Sequence, residues 1–385
     1  MPDHDRVIEI VRDLYGDADV IPLHPPVFLG REKEYLTNCI DSTFVSSVGA
    51  YVTQFEEMVA ARAGAARGVS VVNGTAGLHL ALLVSGVRTG DLVVTQALSF
   101  VATANAIRHA GAHPVFVDVD PDTMGLSPDA VEAYFSEQCD RSPDGLIDRA
   151  SGRRVAACVP MHTFGMPLRI REVVGVCERF GVPVVEDAAE SLGSEVDGVS
   201  TGRFGRLGVF SFNGNKTITT GGGGVIVTDD HELADRAKHL STTAKEPHAW
   251  HYRHDEVGYN YRLTNLSAAL GVAQMERLDQ ILENKRKTAT AYAAALETVD
   301  GLTMVRAASG TPNNWLNAVL VPGVADRDCL LERTNAAGIQ TRPAWTPLNR
   351  LPAFRDERAL DLTHTDHLFD RLINLPSGFC RAHER

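Results

Sequence analysis

The stretch Ser211-Phe212-Asn213-Gly214-Asn215-Lys216-Thr217-Ile218-Thr219-Thr220 runs directly into four glycines, Gly221 to Gly224. Apolar Val209-Phe210 precedes it and the strand-like Val225-Ile226-Val227 follows, so a single lysine stands among small polar residues between two strands. Such a lysine is placed to do chemistry. Taken alone, the same stretch describes an ordinary surface lysine in a glycine-rich turn, and the flanking chain has to decide.

Outward from it, short β-branched runs alternate with amphipathic segments of helical length: Val69 to Val72, Leu92 to Thr95, Val115 to Val117, Val155 to Val159, Val182 to Val185, Val209 to Phe212 and Val225 to Thr228. That alternation predicts a sheet wrapped by helices. Several runs are apolar throughout, as expected of strands buried on both faces. Ligands of such sheets collect at the carboxyl ends of the strands, so the residues after each run carry the functional information.

After Val72 comes Asn73-Gly74-Thr75-Ala76-Gly77, then Leu78 to Leu83 at helical spacing. A glycine and a hydroxyl at a helix N-terminus suit a phosphate, although a plain helix start capped by Thr75 reads the same way. After Thr95 stands Phe100, which could stack on a flat ring or simply be core. After Val185 come Glu186-Asp187-Ala188-Ala189-Glu190-Ser191, acids that are costly to desolvate, so at least one should meet a cation. They lack histidine or further carboxylates at ligand spacing, and no metal is expected. Lys216 follows one strand later. A phosphate cradle, a ring stacker, a strand-end acid and a lysine, in this order, describe a pyridoxal 5′-phosphate site: the aldehyde needs an amine and the ring nitrogen needs an acid.

The 385 residues predict two domains sharing a cleft. The expected division is 1–275, with an N-terminal helical segment, and 276–385. Residues 1–66 are mostly helical in pattern, as over Tyr51 to Ala63, around a loop at Ser42 to Gly49. Leu266 to Lys287 reads as one long helix joining the domains, with a strand at Leu316 to Val321 and a helix at Asp326 to Ala337 beyond it. The polar Ser136 to Arg154 reads as an exposed excursion. Apolar residues make up 44% of the chain and charged ones 22%, ordinary for a protein with ample core. A net charge of −12 argues against nucleic acid as a bulk partner, though local arginines could hold a phosphorylated ligand. The six cysteines form no Cys-x-x-Cys pair, so neither a zinc site nor a disulfide framework is expected. No apolar run approaches the roughly 18 residues of a membrane span. With a charged N-terminus, a cytoplasmic protein is expected.

The order of motifs resembles the fold-type I pyridoxal-phosphate enzymes, and closely the DegT/StrS-type nucleotide-sugar aminotransferases. Asn73-Gly74-Thr75-Ala76, Ser99 to Ala106, His162-Thr163-Phe164-Gly165, Glu186 to Ser191, Phe210 to Lys216 and Gly258-Tyr259-Asn260-Tyr261-Arg262 carry the likeness over nearly the whole chain. Pro26 to Gly30, Ile40 to Gly49 and Thr341-Arg342-Pro343-Ala344-Trp345-Thr346 resemble the branch serving legionaminic acid and bacillosamine-type diamino sugars. The resemblance implies an α/β fold: a large domain with a mostly parallel mixed sheet wrapped by helices, and a smaller C-terminal α/β domain.

It also implies roles. Lys216 would condense with the cofactor aldehyde and, once freed, shuttle a proton between two carbons. Asp187 would pair with the pyridinium nitrogen, and Phe100 would lie on the ring face. Gly74, Thr75 and Ser211 would hold the phosphate. Asn260 would reach the cofactor phosphate of a neighbouring subunit, making a homodimer with shared active sites. Glu190 stands where many relatives have Gln or His near the cofactor's O3′, and its protonation is left open. His162, Arg342 and Trp345 would face substrate, Trp345 being as readily core. Many relatives carry Gly-Glu-Gly-Gly where this chain has Gly221 to Gly224. The implied reaction moves the amino group of L-glutamate to C4 of a UDP- or GDP-linked 4-keto-6-deoxy-2-acetamido sugar. A nucleotide-sugar dehydratase or lyase and a non-catalytic regulator are the alternatives. The related dehydratases carry His in place of the lysine, so Lys216 disfavours the first.

Overall fold

The computed structural model describes residues 3–384. Three helices open it, α1 (His4–Tyr15), α2 (Glu32–Asp41) and α3 (Ala50–Ala63), with the expected loop between the last two. Then follow β1 (Arg67–Val71), α4 (Gly74–Val84), β2 (Leu92–Gln96), α5 (Val101–His109), β3 (His113–Val117) and α6 (Pro128–Gln138). After them come β4 (Cys139–Ser142), β5 (Gly145–Asp148), β6 (Arg154–Val159), α7 (Ile170–Phe180) and β7 (Val185–Asp187). A small hairpin, β8 (Glu195–Val196) and β9 (Val199–Ser200), leads into β10 (Leu207–Ser211) and β11 (Gly224–Thr228).

The strands run β1-β11-β10-β7, and bridges Cys158–Val184 and Met161–Asp187 carry the sheet on through β6, β2 and β3. Within this run β11 alone opposes its neighbours; β10, β7, β6, β2 and β3 are parallel. Burial on both faces explains the unbroken apolar runs. Within β10, Leu207 and Val209 pack toward α4, while Phe210 packs with Phe55 of α3 on the other side. Two boundaries move from expectation. The strand expected at Val182 to Val185 is Val185–Asp187, so both acids are strand residues. The excursion at Ser136 to Arg154 contains the β4–β5 hairpin, which adds antiparallel to β6 and buries Leu146 and Asp148.

After α8 (His231–Ser241), the single helix expected over Leu266 to Lys287 is two, α9 (Asn265–Met275) and α10 (Leu278–Leu296). The break lets each half bury a different face: α9 packs in the core of α2 and α3, whereas the end of α10 (Tyr292, Leu296) joins a second core. That second core lies under the antiparallel strands Thr303–Met304, Asn317–Leu320, Leu372–Leu375 and Arg342–Pro343 and the helix α11 (Val324–Ala336). Chain order grouped α1 with the first 275 residues. Its apolar face, Val7, Ile10 and Val11, packs instead in this second core. No helix among the described residues is long and apolar enough to cross a membrane.

Candidate active site

The N-terminus of α4 and the end of β10 meet at the carboxyl edge of the sheet. Asn73, not Thr75, caps the helix: its Oδ1 accepts the Ala76 amide at 2.8 Å, and Thr75 lines a cavity. The amides of this first turn have no acceptor within the helix. A Cβ on Gly74 would lie 3.0 Å from Ser211 Cβ, and one on Gly224 would lie 2.8 Å from the Asn73 carbonyl carbon. Close approach of backbone therefore imposes Gly224, while a side chain on Gly74 would press tightly on Ser211. Gly222, by contrast, has its nearest neighbour at 3.8 Å, so this turn has room for a side chain that the sequence omits.

The cavity, about 300 Å³, collects Gly74, Thr75, Phe100, Asp187, Glu190, Ser211 and Lys216 from four segments of chain. Asp187 is buried at the end of β7; its Oδ2 accepts the Thr103 hydroxyl at 2.7 Å and its Oδ1 the Ala189 amide at 3.2 Å. Burial raises its pKa, and hydrogen bonds and the more distant Lys216 only partly oppose this. Glu190, also buried, accepts Lys216 Nζ on Oε1 at 3.0 Å and the Phe164 amide on Oε2 at 2.9 Å. Burial pushes its carboxyl up to about 7 against the pull of Lys216. Phe164 makes its contact from a left-handed backbone (φ 57°), a conformation rare for a non-glycine residue and often found at functional sites.

Of the three acids, Glu186 is spent on structure. It is fully buried, accepts the amides of Gly202, Phe204 and Gly205, and faces His162 Nε2 at 3.0 Å. The Leu168 amide donates to His162 Nδ1, which leaves the Nε2 hydrogen to donate to Glu186. His162 is thus buried and held away from the cavity, contrary to its expected substrate role. Arg342 is exposed, donating to Asn335 Oδ1 and to the Thr341 carbonyl. With His24, it lines a second cavity of about 540 Å³ that adjoins the first through Asn215, Trp315 and Trp345. Asn260 lies outside both, exposed, accepting from Arg262.

Sequence reading missed several residues. Thr103 orients Asp187. Trp315 sets its ring 4.1 Å from Lys216 Nζ and donates its indole N–H to the Asn215 carbonyl at 2.7 Å. Asn313, buried, donates to the carbonyls of Glu190 and Leu192 and to the Thr217 hydroxyl, and accepts the Trp315 amide. The polar pair Asn313-Asn314 before a tryptophan was the sole cue, and it named no partner.

The residues fit pyridoxal phosphate. The glycine-imposed cradle at α4 suits a phosphate, and the half-exposed ring of Phe100 offers a flat face. Asp187 is a buried acid with no cation in hydrogen-bond contact, which a protonated ring nitrogen would supply. Fold and site together define a fold-type I pyridoxal-phosphate-dependent transferase. The chain belongs to the DegT/DnrJ/EryC1/StrS aminotransferase family, which residues 29–382 match. It is a pyridoxal-phosphate-dependent sugar aminotransferase. Over 365 residues it is 40% identical to the putative pyridoxal phosphate-dependent aminotransferase EpsN of Bacillus subtilis, covering 93% of this chain and 91% of that one. It is 35% identical to the GDP-perosamine synthase of Escherichia coli O157:H7, covering 93% of each. Among solved structures, the aminotransferase TlmJ of Streptoalloteichus hindustanus superposes with a TM-score of 0.84 at 30% identity, covering 93% of each chain.

Proposed function

We propose that this enzyme transfers the amino group of L-glutamate to C4 of a nucleotide-linked 4-keto-6-deoxy sugar, a 2-acetamido sugar of the legionaminic acid or bacillosamine type carried on UDP or GDP. The observation that carries the reading is the meeting of Lys216, Asp187 and the α4 N-terminus on one cavity. When bound, pyridoxal phosphate would supply an electron sink for the bond broken beside the amino group. The chain's residues do the rest. Lys216 would hold the cofactor and, when free, would accept and return a proton at Nζ. Asp187 keeps the ring nitrogen protonated, with Thr103 fixing the carboxylate. Phe100 covers the ring, and Gly74, Thr75 and Ser211 hold the phosphate. Arg342 and Trp345 border the adjoining cavity, which is large enough to take part of the sugar substrate.

Asn260 completes the site of a second copy in a homodimer. Its outward position and the exposed Phe28, Ile40, Phe44 and Val48 support this reading. A large lobe to residue 275 and a small lobe from 276, with α1 packed on the latter, form the cleft, and the enzyme works in the cytoplasm. The GDP-perosamine synthase relative favours a second reading, in which the sugar is GDP-linked and of the perosamine kind.

The test is the visible spectrum of the purified protein. L-Glutamate should bleach the cofactor band and release 2-oxoglutarate stoichiometrically, and one of a panel of UDP- and GDP-linked keto sugars should restore it. A band indifferent to glutamate, or product formed without 2-oxoglutarate, hands the site to a lyase or dehydratase.

A further inference from the structure

Lys216 Nζ touches two groups, Glu190 Oε1 at 3.0 Å and the face of Trp315, 4.1 Å from its ring centre. A carboxylate and an aromatic face both attract an ammonium. A lysine that condenses with an aldehyde must present a free amine, since the nitrogen lone pair is the nucleophile. The ammonium proton therefore has to leave, and the site offers few acceptors. Asp187 makes its hydrogen bonds to Thr103 and the Ala189 amide and none to Lys216. His162 is turned onto Glu186. Solvent reaches the pair only from the cavity side, the Lys216 side chain being 12% exposed and that of Glu190 1%.

We propose that Glu190 is a catalytic residue that accepts the ammonium proton of Lys216 and returns it. In that step one Nζ–H bond breaks, its electron pair stays on nitrogen as the lone pair, and the proton forms Oε1–H. The pair is neutral overall before and after, so no net charge is left in a buried place. The Phe164 amide holds Oε2 and keeps Oε1 aimed at the lysine. The charged groups that bear on Glu190 are Lys216, from the loop after β10, and Asp187, from β7. Burial and Asp187 favour the protonated acid and Lys216 opposes it; with the carboxyl near 7, both forms are accessible at neutral pH. The inference rests on the reading of Lys216 as the residue that carries the cofactor.

The experiment measures how fast the visible band appears when apoenzyme is mixed with pyridoxal 5′-phosphate, from pH 5.5 to 9. In the wild type the internal acceptor makes the rate nearly flat above about pH 7 and lets it fall below, as Glu190 fills with solvent protons. In E190Q the amine must lose its proton to solvent, so the rate should climb about tenfold per pH unit through neutrality. E190D keeps a carboxyl and should restore the flat profile at a lower rate. Superimposable profiles in wild type and E190Q, or a steep profile in E190D, overturn the proposal. If E190Q does not fold, the infrared stretch of a protonated carboxyl in wild-type apoenzyme at pH 6, diminished in E190D or shifted by it, decides; its absence overturns the proposal. A K216A control separates the two claims: a normal band in K216A removes the lysine reading itself, whatever Glu190 does.

Discussion

Two lysines lie deep in this molecule, and their surroundings differ in kind. Lys216 meets a carboxylate and an aromatic face at the edge of a cavity. Lys285 of α10 is 2% exposed and meets only neutral acceptors: His24 Nε2 at 2.6 Å, the Ser377 carbonyl at 2.8 Å and the Trp315 carbonyl at 3.2 Å. Burial lowers its pKa to about 7, and burial, with Lys285 second, keeps His24 neutral. A depressed lysine pKa is a usual sign of a nucleophile, and by that sign alone Lys285 would be chosen. It lines neither of the two adjoining cavities and has no acid beside it for a ring nitrogen. Access and neighbours, more than the titration of the amine, separate a reacting lysine from a packing one.

The sharpest way to break this contrast is to exchange the two losses. Lys216→Ala should abolish the visible cofactor band and lower turnover by at least about 10³-fold, because the covalent route and the proton carrier vanish together. Lys285→Met should keep the band; a variant that loses it as K216A does would make Lys285 the carrier. Next in size, Asp187→Ala should slow the glutamate half-reaction about 10²- to 10³-fold in stopped-flow absorbance, as removal of a group facing developing charge does. An unchanged rate would leave Asp187 as packing only.

The smallest effect concerns stability. Lys285 titrates near 7 in the folded chain against an ordinary value of 10.5. Between those values the unfolded chain binds more protons, so stability rises with pH, by up to about 1.4 kcal/mol per unit from this residue. Below pH 7 both states are protonated, the slope vanishes and the full penalty stands. Denaturation of wild type and K285M at pH 7.5 and 9 should show the wild type gaining on the variant as pH rises; a constant gap would mean that Lys285 is not depressed.

Much of the large lobe was legible because its signals are local. The glycine and threonine after β1, the acids of β7 and the lysine after β10 each lie at a strand end, where the alternating pattern directs attention, although the cap itself is Asn73 and not the threonine. The same local logic misled at His162, whose position after β6 is right while its ring is turned inward by Glu186. No pattern within either segment carries that pairing, since the two residues are 24 apart in the chain. Asn313 and Trp315 were illegible for a stronger version of the same reason: Trp315 bonds to the Asn215 carbonyl across 100 residues, and Asn313 to Glu190 across 123. The early break of the α9–α10 helix and the docking of α1 on α10 and α11 likewise depend on which core each face finds, which periodicity does not state.

The segment from Asn313 to Trp315 belongs by chain position to the second lobe, yet it grips the turn of Glu190 and the loop of Lys216, while its tryptophan carbonyl receives Lys285. The two lobes are therefore not interchangeable parts. A chimera joining this chain's first 275 residues to the second half of a relative would need that half to supply the contacts that Asn313 and Trp315 make here to Thr217 and Asn215. Asn313 and Trp315 thereby tie the fit of the Lys216 loop to a segment about 100 residues further along the chain, so a change on either side of this seam is felt on the other.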